Sequence, residues 1–172
     1  MEIPVFALLF LLGLCVGSFC NVLIYRIPKG EEFVKTPSHC MKCGHELKWY
    51  ELFPVVSWLI QGGKCRSCGV KLSAQYPIVE ALNGAMWLLT GIVFREDPIT
   101  AALYCGLYSL LMVLSVIDWR TFTIPNGINL AIFLLLLAFC LQSHYLGLGC
   151  LKLLQLFLSL VVEFFKHRMF CL

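Results

Sequence analysis

Four cysteines in two pairs are the residues of this sequence most plainly spaced for chemistry. Cys40-Met41-Lys42-Cys43-Gly44-His45 is followed about twenty residues later by Cys65-Arg66-Ser67-Cys68-Gly69. Paired C-x-x-C sequences at that separation supply four thiolates for one tetrahedral ion, usually zinc. A glycine after each second cysteine suits the tight turn that aims both sulfurs at one point, because glycine accepts positive φ. Lys42, Lys64 and Arg66 beside the thiols favour their ionised form. Unligated thiols in a loose loop, or thiol redox chemistry, are the competing readings; tandem pairs each trailed by glycine argue against the latter. His39 and His45 flank the first pair and, with four thiols at hand, are expected to be solvated. Cys15, Cys20, Cys105, Cys140, Cys150 and Cys171 mostly fall in apolar runs, where cysteine packs as a small hydrophobe.

A carboxylate is the other candidate. Asp118 ends an apolar run and opens Asp118-Trp119-Arg120-Thr121-Phe122-Thr123-Ile124-Pro125-Asn126. An ionisable residue at the lipid boundary is costly and usually marks function or a local charge pair. Capping of the helix end, or pairing with Arg120, would explain it as well, and charge alone does not decide. As a catalyst it would need a partner, since two adjacent carboxyls share one proton and so divide the work of acid and base. The chain has one other aspartate, Asp97.

A bilayer must position these groups. The chain is 60% apolar and 13% charged, with a mean hydropathy of +0.85, far from the soluble average of about 25% charged. About 20 apolar residues in a helix span a hydrocarbon core. Runs at 3–25, 77–94, 99–117, 127–141 and 151–165 approach that length, the last two being short. The first lacks a basic n-region and a convincing cleavage site, so it reads as an uncleaved helix. Eight of the thirteen basic residues lie between Arg26 and Tyr76. Lys and Arg are retained in the cytoplasm, which puts this loop and Asp118 inside and the turn holding Asp97 outside. A net charge of +3 reads as membrane orientation and argues against a nucleic-acid partner. Glu80 falls near the cytoplasmic end of the second run, where a helix macrodipole would favour it.

The fold expected is therefore an all-α polytopic membrane protein of about five transmembrane helices. A small cytoplasmic four-cysteine zinc knuckle is inserted after the first. Residues 1–25 form the first helix, 26–76 the cysteine-rich domain and 77–172 the remaining membrane region. Some fifty residues between helices cannot build a large core, and a bound ion adds folding free energy directly. Trp49, Tyr50, Phe53, Pro54 and Trp58 either form the small core that the ion closes or pack at the headgroup layer.

The segment 118–126 resembles the first catalytic-aspartate motif of the prepilin peptidases (type IV leader peptidases), Asp-x-x-Thr-x-x-Ile-Pro-Asn. Gly17-Ser18-Phe19-x-Asn21-Val22 with Arg26 and Pro28 is similar to the family's N-terminal signature. Leu47-x-Trp49-Tyr50-Glu51, Pro54, Ser57-Trp58, Gly63-Lys64-Cys65-x-x-Cys68 and Tyr76-Pro77-x-x-Glu80 resemble its cytoplasmic domain, in the correct order from residue 13 to about 130. The resemblance implies a bacterial inner-membrane aspartic endopeptidase that removes basic leader peptides from type IV prepilins and type II secretion pseudopilins. Cleavage would fall at the cytoplasmic face, after a glycine. It also implies Asp118 as one catalytic residue, Cys40, Cys43, Cys65 and Cys68 as ligands of structural zinc, and N-methylation of the new terminus from S-adenosylmethionine. No S-adenosylmethionine fingerprint is visible in the residues themselves; Glu80 is a candidate polar contact for that activity, which a helix-end charge explains equally well. The sequence sets no oligomeric state.

One part of the family pattern is missing. The second aspartate belongs in Gly-x-Gly-Asp-x-Lys, two passes after the first. Gly147-Leu148-Gly149-Cys150-Leu151-Lys152 is a near-match with cysteine in its place. It lies one pass after Asp118 and so outside, which means either that a helix has been lost or that the similarity is accidental. A thiol cannot share a proton as a carboxylate does. Glu163 is the one later acid, more readily a helix-end charge near Lys166 than a replacement. The chain is thus expected to be a shortened homologue with little peptidase activity. The alternative is a non-catalytic, membrane-anchored zinc protein that docks pseudopilins or other partners.

Overall fold

In lipid every backbone N–H and C=O must be paired internally, so long apolar runs become helices. The computed structural model describes residues 3–145 of the 172 and follows that rule. Helix α1 covers Ile3–Arg26, α2 is the short Val56–Ile60, α3 covers Gln75–Val93, α4 Pro98–Thr121 and α5 Asn126–Tyr145. The described residues contain no strand, only two isolated bridges. Three segments, Ile3–Lys29, Gln75–Val93 and Pro98–Thr121, are long and apolar enough to cross a membrane, and Asn126–Gln142 is a shorter apolar helix. The fold is all-α and of membrane type, with the four cysteines inserted between α1 and α3. The run 151–165 lies outside the described residues, as do Cys150 and Glu163.

By contact the chain divides into two units, Met1–Ile132 and Phe133–Leu172. In the first, α1, α3 and α4 pack on one another. Without a hydrophobic drive between helices in lipid, small residues must let backbones approach. Gly13 and Gly17 on α1 do so. A Cβ on Gly17 would stand 2.8 Å from the Glu80 Cα, and one on Gly13 2.8 Å from the Gly84 Cα. Gly84 in turn leaves room for Leu14 and Phe10. On α4 the buried residues Ala101, Cys105, Ser109, Val113 and Ile117 recur at every fourth position, one stripe along the helix. Asn83 closes the trio: its Nδ2 donates to the Gly13 carbonyl at 2.7 Å, and its Oδ1 accepts from Ser109 Oγ at 2.8 Å. Trp87 Nε1 donates to the same hydroxyl at 3.1 Å.

Helix α4 runs four residues past the apolar run, so Asp118 sits in its last turn rather than after it. Thr121 Oγ1 donates to the Ile117 carbonyl, and Phe122, at φ 53°, closes the end through its N–H to the Asp118 carbonyl.

Candidate functional site

The two cysteine pairs form matching turns. In the first, Cys40 N–H donates to the His45 carbonyl at 2.8 Å and Gly44 N–H to the Cys40 carbonyl at 2.9 Å. In the second, Cys65 N–H reaches Val70 at 2.9 Å and Gly69 N–H reaches Cys65 at 2.9 Å. Gly44 and Gly69 adopt φ of 71° and 68°, the left-handed turn that their place after the second cysteine predicts. The result brings all four sulfurs together: the Sγ atoms lie within 4.8 Å of one another, with Cys40 and Cys68 at 3.9 Å. A Zn–S bond of about 2.3 Å in a tetrahedron requires sulfurs about 3.8 Å apart. The four residues fit a metal ion of that kind.

Their electrostatics point the same way. The N–H groups of Cys43 and Lys42 pull the Cys40 thiol down to about 6. The Val70 N–H favours the Cys68 thiolate, but lost hydration and three neighbouring sulfurs outweigh it and push that thiol up to about 11. Four thiolates at this spacing need a cation among them.

Glu51 ties the two turns together, a role the sequence reading did not find. It is 6% exposed. Its Oε2 accepts from Lys48 N–H at 3.0 Å and stands 3.3 Å from His45 Nε2, while its Oε1 lies 3.8 Å from Arg66 Nε. His45 belongs to the first turn and Arg66 to the second. The Lys48 amide first, then His45 and Arg66, hold this carboxyl below the usual range. His45 is thus engaged rather than simply solvated. Of the two places open to the aromatic residues, the small core does not hold Trp49, which is 74% exposed, or Phe53 and Tyr50, which are exposed as well. Trp58, by contrast, is half-buried with its ring against Gly63. The buried residues of this insertion are Cys40, Glu51, Gly63 and Cys65, so its buried side chains are two thiols and one carboxylate.

The insertion is anchored to the helices at two points, through Arg26 and Glu80, and Asn21 ties α1 to the start of α3 beside them. Arg26, buried at the end of α1, donates to the carbonyls of Glu32, Thr36 and Pro37. Asn21 Nδ2 donates to the Tyr76 carbonyl at 3.1 Å. Glu80 Oε2 accepts from Val55 N–H at 2.7 Å, so Glu80 is a tether to the insertion, a stronger account than the macrodipole.

Asp118 lies at the same end of the trio. Two residues on, Arg120 places its guanidinium 4.2 Å from the Tyr25 ring centroid and donates to Gln75 Oε1 at 3.2 Å. Tyr25 stacks on Tyr76 at 5.3 Å. The C-terminal ends of α1 and α4, the start of α3 and the cysteine insertion therefore share one side. Asp97 does not. It caps the start of α4, accepting from Thr100 N–H at 3.1 Å and Thr100 Oγ1 at 2.6 Å, which holds its carboxyl low. Twenty-one residues of helix, about 32 Å at 1.5 Å each, separate it from Asp118. The two cannot share a proton.

Between the insertion and the ends of α1 and α3 lies a cavity of 480 Å³, bordered by Ser18, Asn21, Trp58, Tyr76 and Glu80 among others. Asp118 does not line it.

Residues 11–94 match the family model for the bacterial peptidase A24 N-terminal domain, and residues 105–169 match that of the type IV leader peptidase family. A prepilin leader peptidase/N-methyltransferase of Myxococcus xanthus is 43% identical over 125 residues, covering 71% of this chain and 36% of that protein. Proteins of the same name from Klebsiella pneumoniae and Bacillus subtilis are 34% and 36% identical, covering 82% and 83% of this chain and 64% and 58% of their own. The chain thus spans between about a third and two thirds of these relatives. No solved structure matches it.

Proposed function

Because this chain belongs to the type IV leader peptidase family, we propose that it is the portion of a membrane aspartic endopeptidase that supplies one catalytic carboxylate, Asp118. Its substrates are type IV prepilins and type II secretion pseudopilins, cut at the cytoplasmic face of the inner membrane after the glycine that ends their basic leaders. The supporting observation is the placement of Asp118 on the same side as the cysteine insertion, through the contacts of Arg120 with Tyr25 and Gln75. A leader entering from that side would meet both.

The chemistry requires two carboxyls. One, ionised, takes a proton from water as its oxygen attacks the scissile carbonyl; the other, protonated, donates to the carbonyl oxygen. The amine then leaves with a proton, and no covalent intermediate forms. This sequence offers Asp118 and no usable second aspartate, since Asp97 is held at the far end of α4. The purified 172-residue chain is therefore expected to cleave no prepilin. A chimera carrying the Gly-x-Gly-Asp passes of a full-length relative is expected to cleave, with Asp118→Asn lowering the rate by at least about 10³. Robust cleavage by the chain alone would overturn the one-carboxylate assignment; a chimera indifferent to Asp118→Asn would overturn Asp118.

Cys40, Cys43, Cys65 and Cys68 hold structural zinc in this reading, and the ion orders residues 30–74. We further assign to this insertion a part in N-methylation of the new terminus. Bound S-adenosylmethionine would supply the methyl group: the N–C bond forms, the C–S pair returns to sulfur, and nitrogen loses one proton. The second reading, a docking protein that holds pseudopilins without cutting them, rests on the same lack of a second aspartate. Prepilin capture that survives in the Asp118→Asn chain, with no cleavage by the chimera, would favour it.

A further inference from the structure

The geometry points to the cavity beneath the cysteine insertion as the binding site for the S-adenosyl methyl donor, with Asn21, Glu80 and Trp58 as its polar contacts. This rests on the methyl-transfer reading above and goes on to locate it.

Two buried polar atoms at this cavity have no hydrogen-bond partner: Asn21 Oδ1, an acceptor, and Trp58 Nε1, a donor. Asn21 itself is 2% exposed. Buried polar groups are nearly always satisfied, and an orphan in a roomy site marks a place for a partner, water or ligand. These two cannot satisfy one another through a single-function ligand, for one needs a donor and the other an acceptor.

The floor is acceptor-rich. Asn21 lies one turn beyond Gly17 on α1, and Gly17 packs on the Glu80 backbone, so the Asn21 amide and the Glu80 carboxylate border the same space. The roof is formed by Ser57 and Trp58 of α2 and by Gln61, which follows its last residue. The indole is fixed in place: Gly63, at φ 65°, would drive a Cβ into its ring at 2.8 Å, so only glycine fits there.

A volume of 480 Å³ falls within the range of small-molecule sites, about 300–1,000 Å³. It exceeds what a peptide's terminal ammonium needs. An S-adenosyl ligand offers both kinds of group at once. Its ammonium and ribose hydroxyls are donors for Asn21 Oδ1 and Glu80, and its adenine nitrogens are acceptors for the Trp58 indole. A terminal ammonium alone would leave Trp58 Nε1 unpaired.

The test uses the zinc-loaded full chain in lipid nanodiscs and S-adenosylhomocysteine, which binds without reacting. Calorimetry should show saturable binding, weakened at least tenfold by Trp58→Phe and by Glu80→Gln while zinc content stays the same. Asn21→Leu should do likewise if it folds; Trp58→Phe, which keeps the ring and removes only the N–H, covers the case in which it does not. A photoreactive adenosyl analogue should label residues of α2. Labelling elsewhere would overturn this site and leave methyl transfer standing. So would competition at the cavity by a phenylalanine-initiated peptide in place of the nucleoside. Absence of binding by the folded chain would overturn the site, and methylation of such a peptide, assayed separately, would then judge the methyl-transfer reading.

Discussion

The cysteine insertion and the α1–α3–α4 trio reach order by opposite means. The trio is drawn together by absence of side chain: Gly13, Gly17 and Gly84 let backbones meet, and one small polar knot, Asn83 with Ser109 and Trp87, locks the approach. The insertion has almost no apolar core. Its bulky residues Trp49, Phe53, Leu59 and Ile60 are exposed, and its interior is sulfur and one carboxylate. One region should therefore be insensitive to metal and sensitive to volume, and the other the reverse.

The largest effect expected is from metal removal. Structural zinc contributes about 10–16 kcal/mol of apparent folding free energy in small sites, so chelation or Cys40→Ser should unfold residues 30–74. Limited proteolysis within that segment should rise sharply while circular dichroism keeps the helical signal. Loss of helix along with zinc would break the contrast. Next is Gly17→Leu, which forces a side chain against the Glu80 backbone. Overpacking of this kind costs about 1–3 kcal/mol and should lower the unfolding midpoint in mild detergent with zinc content unchanged.

Glu51→Gln should cost about 2 kcal/mol, since it removes charge-assisted hydrogen bonds from a buried carboxylate. This effect depends on pH. A carboxyl whose folded pKa is depressed adds stability above its unfolded value, near 4.3, and loses it as pH falls through the folded one. The gap in thermal midpoint between wild type and Glu51→Gln should thus be full at pH 6 and shrink below about pH 4.3. A gap that widened on acidification would contradict the assigned partners. The smallest effect is Ser109→Ala, about 1.2 kcal/mol, which removes the two hydrogen bonds to Asn83 and Trp87 at about 0.6 kcal/mol for each such bond between membrane helices.

The same contrast explains what could be read from the sequence. Span positions and the cysteine cluster were legible because hydropathy and C-x-x-C spacing are local patterns. The ends of α1, α3 and α4 came within a few residues of the apolar runs, the largest difference being the extra turn of α4 that carries Asp118. Contacts between distant residues were not legible. Gly13 and Gly17 stand four apart, a spacing that flags close helix contact, but their partners on α3 depend on how two helices face each other. Glu51 stood in the family pattern with no role attached, and only its burial between His45 and Arg66 shows what it does. The aromatic residues were left between core and surface for the same reason: hydrophobicity does not say which side of the insertion is inward.

The two ends of α4 impose a counting rule on any completed enzyme. If α4 crosses the membrane, as its length and composition allow, Asp118 and the Asp97 that caps its other end face opposite water layers. A carboxyl that is to meet Asp118 must come from a strand of polypeptide that has returned to that layer, after an even number of crossings. Within one polypeptide the acid must arrive by that parity; a separate molecule need only expose it on that side.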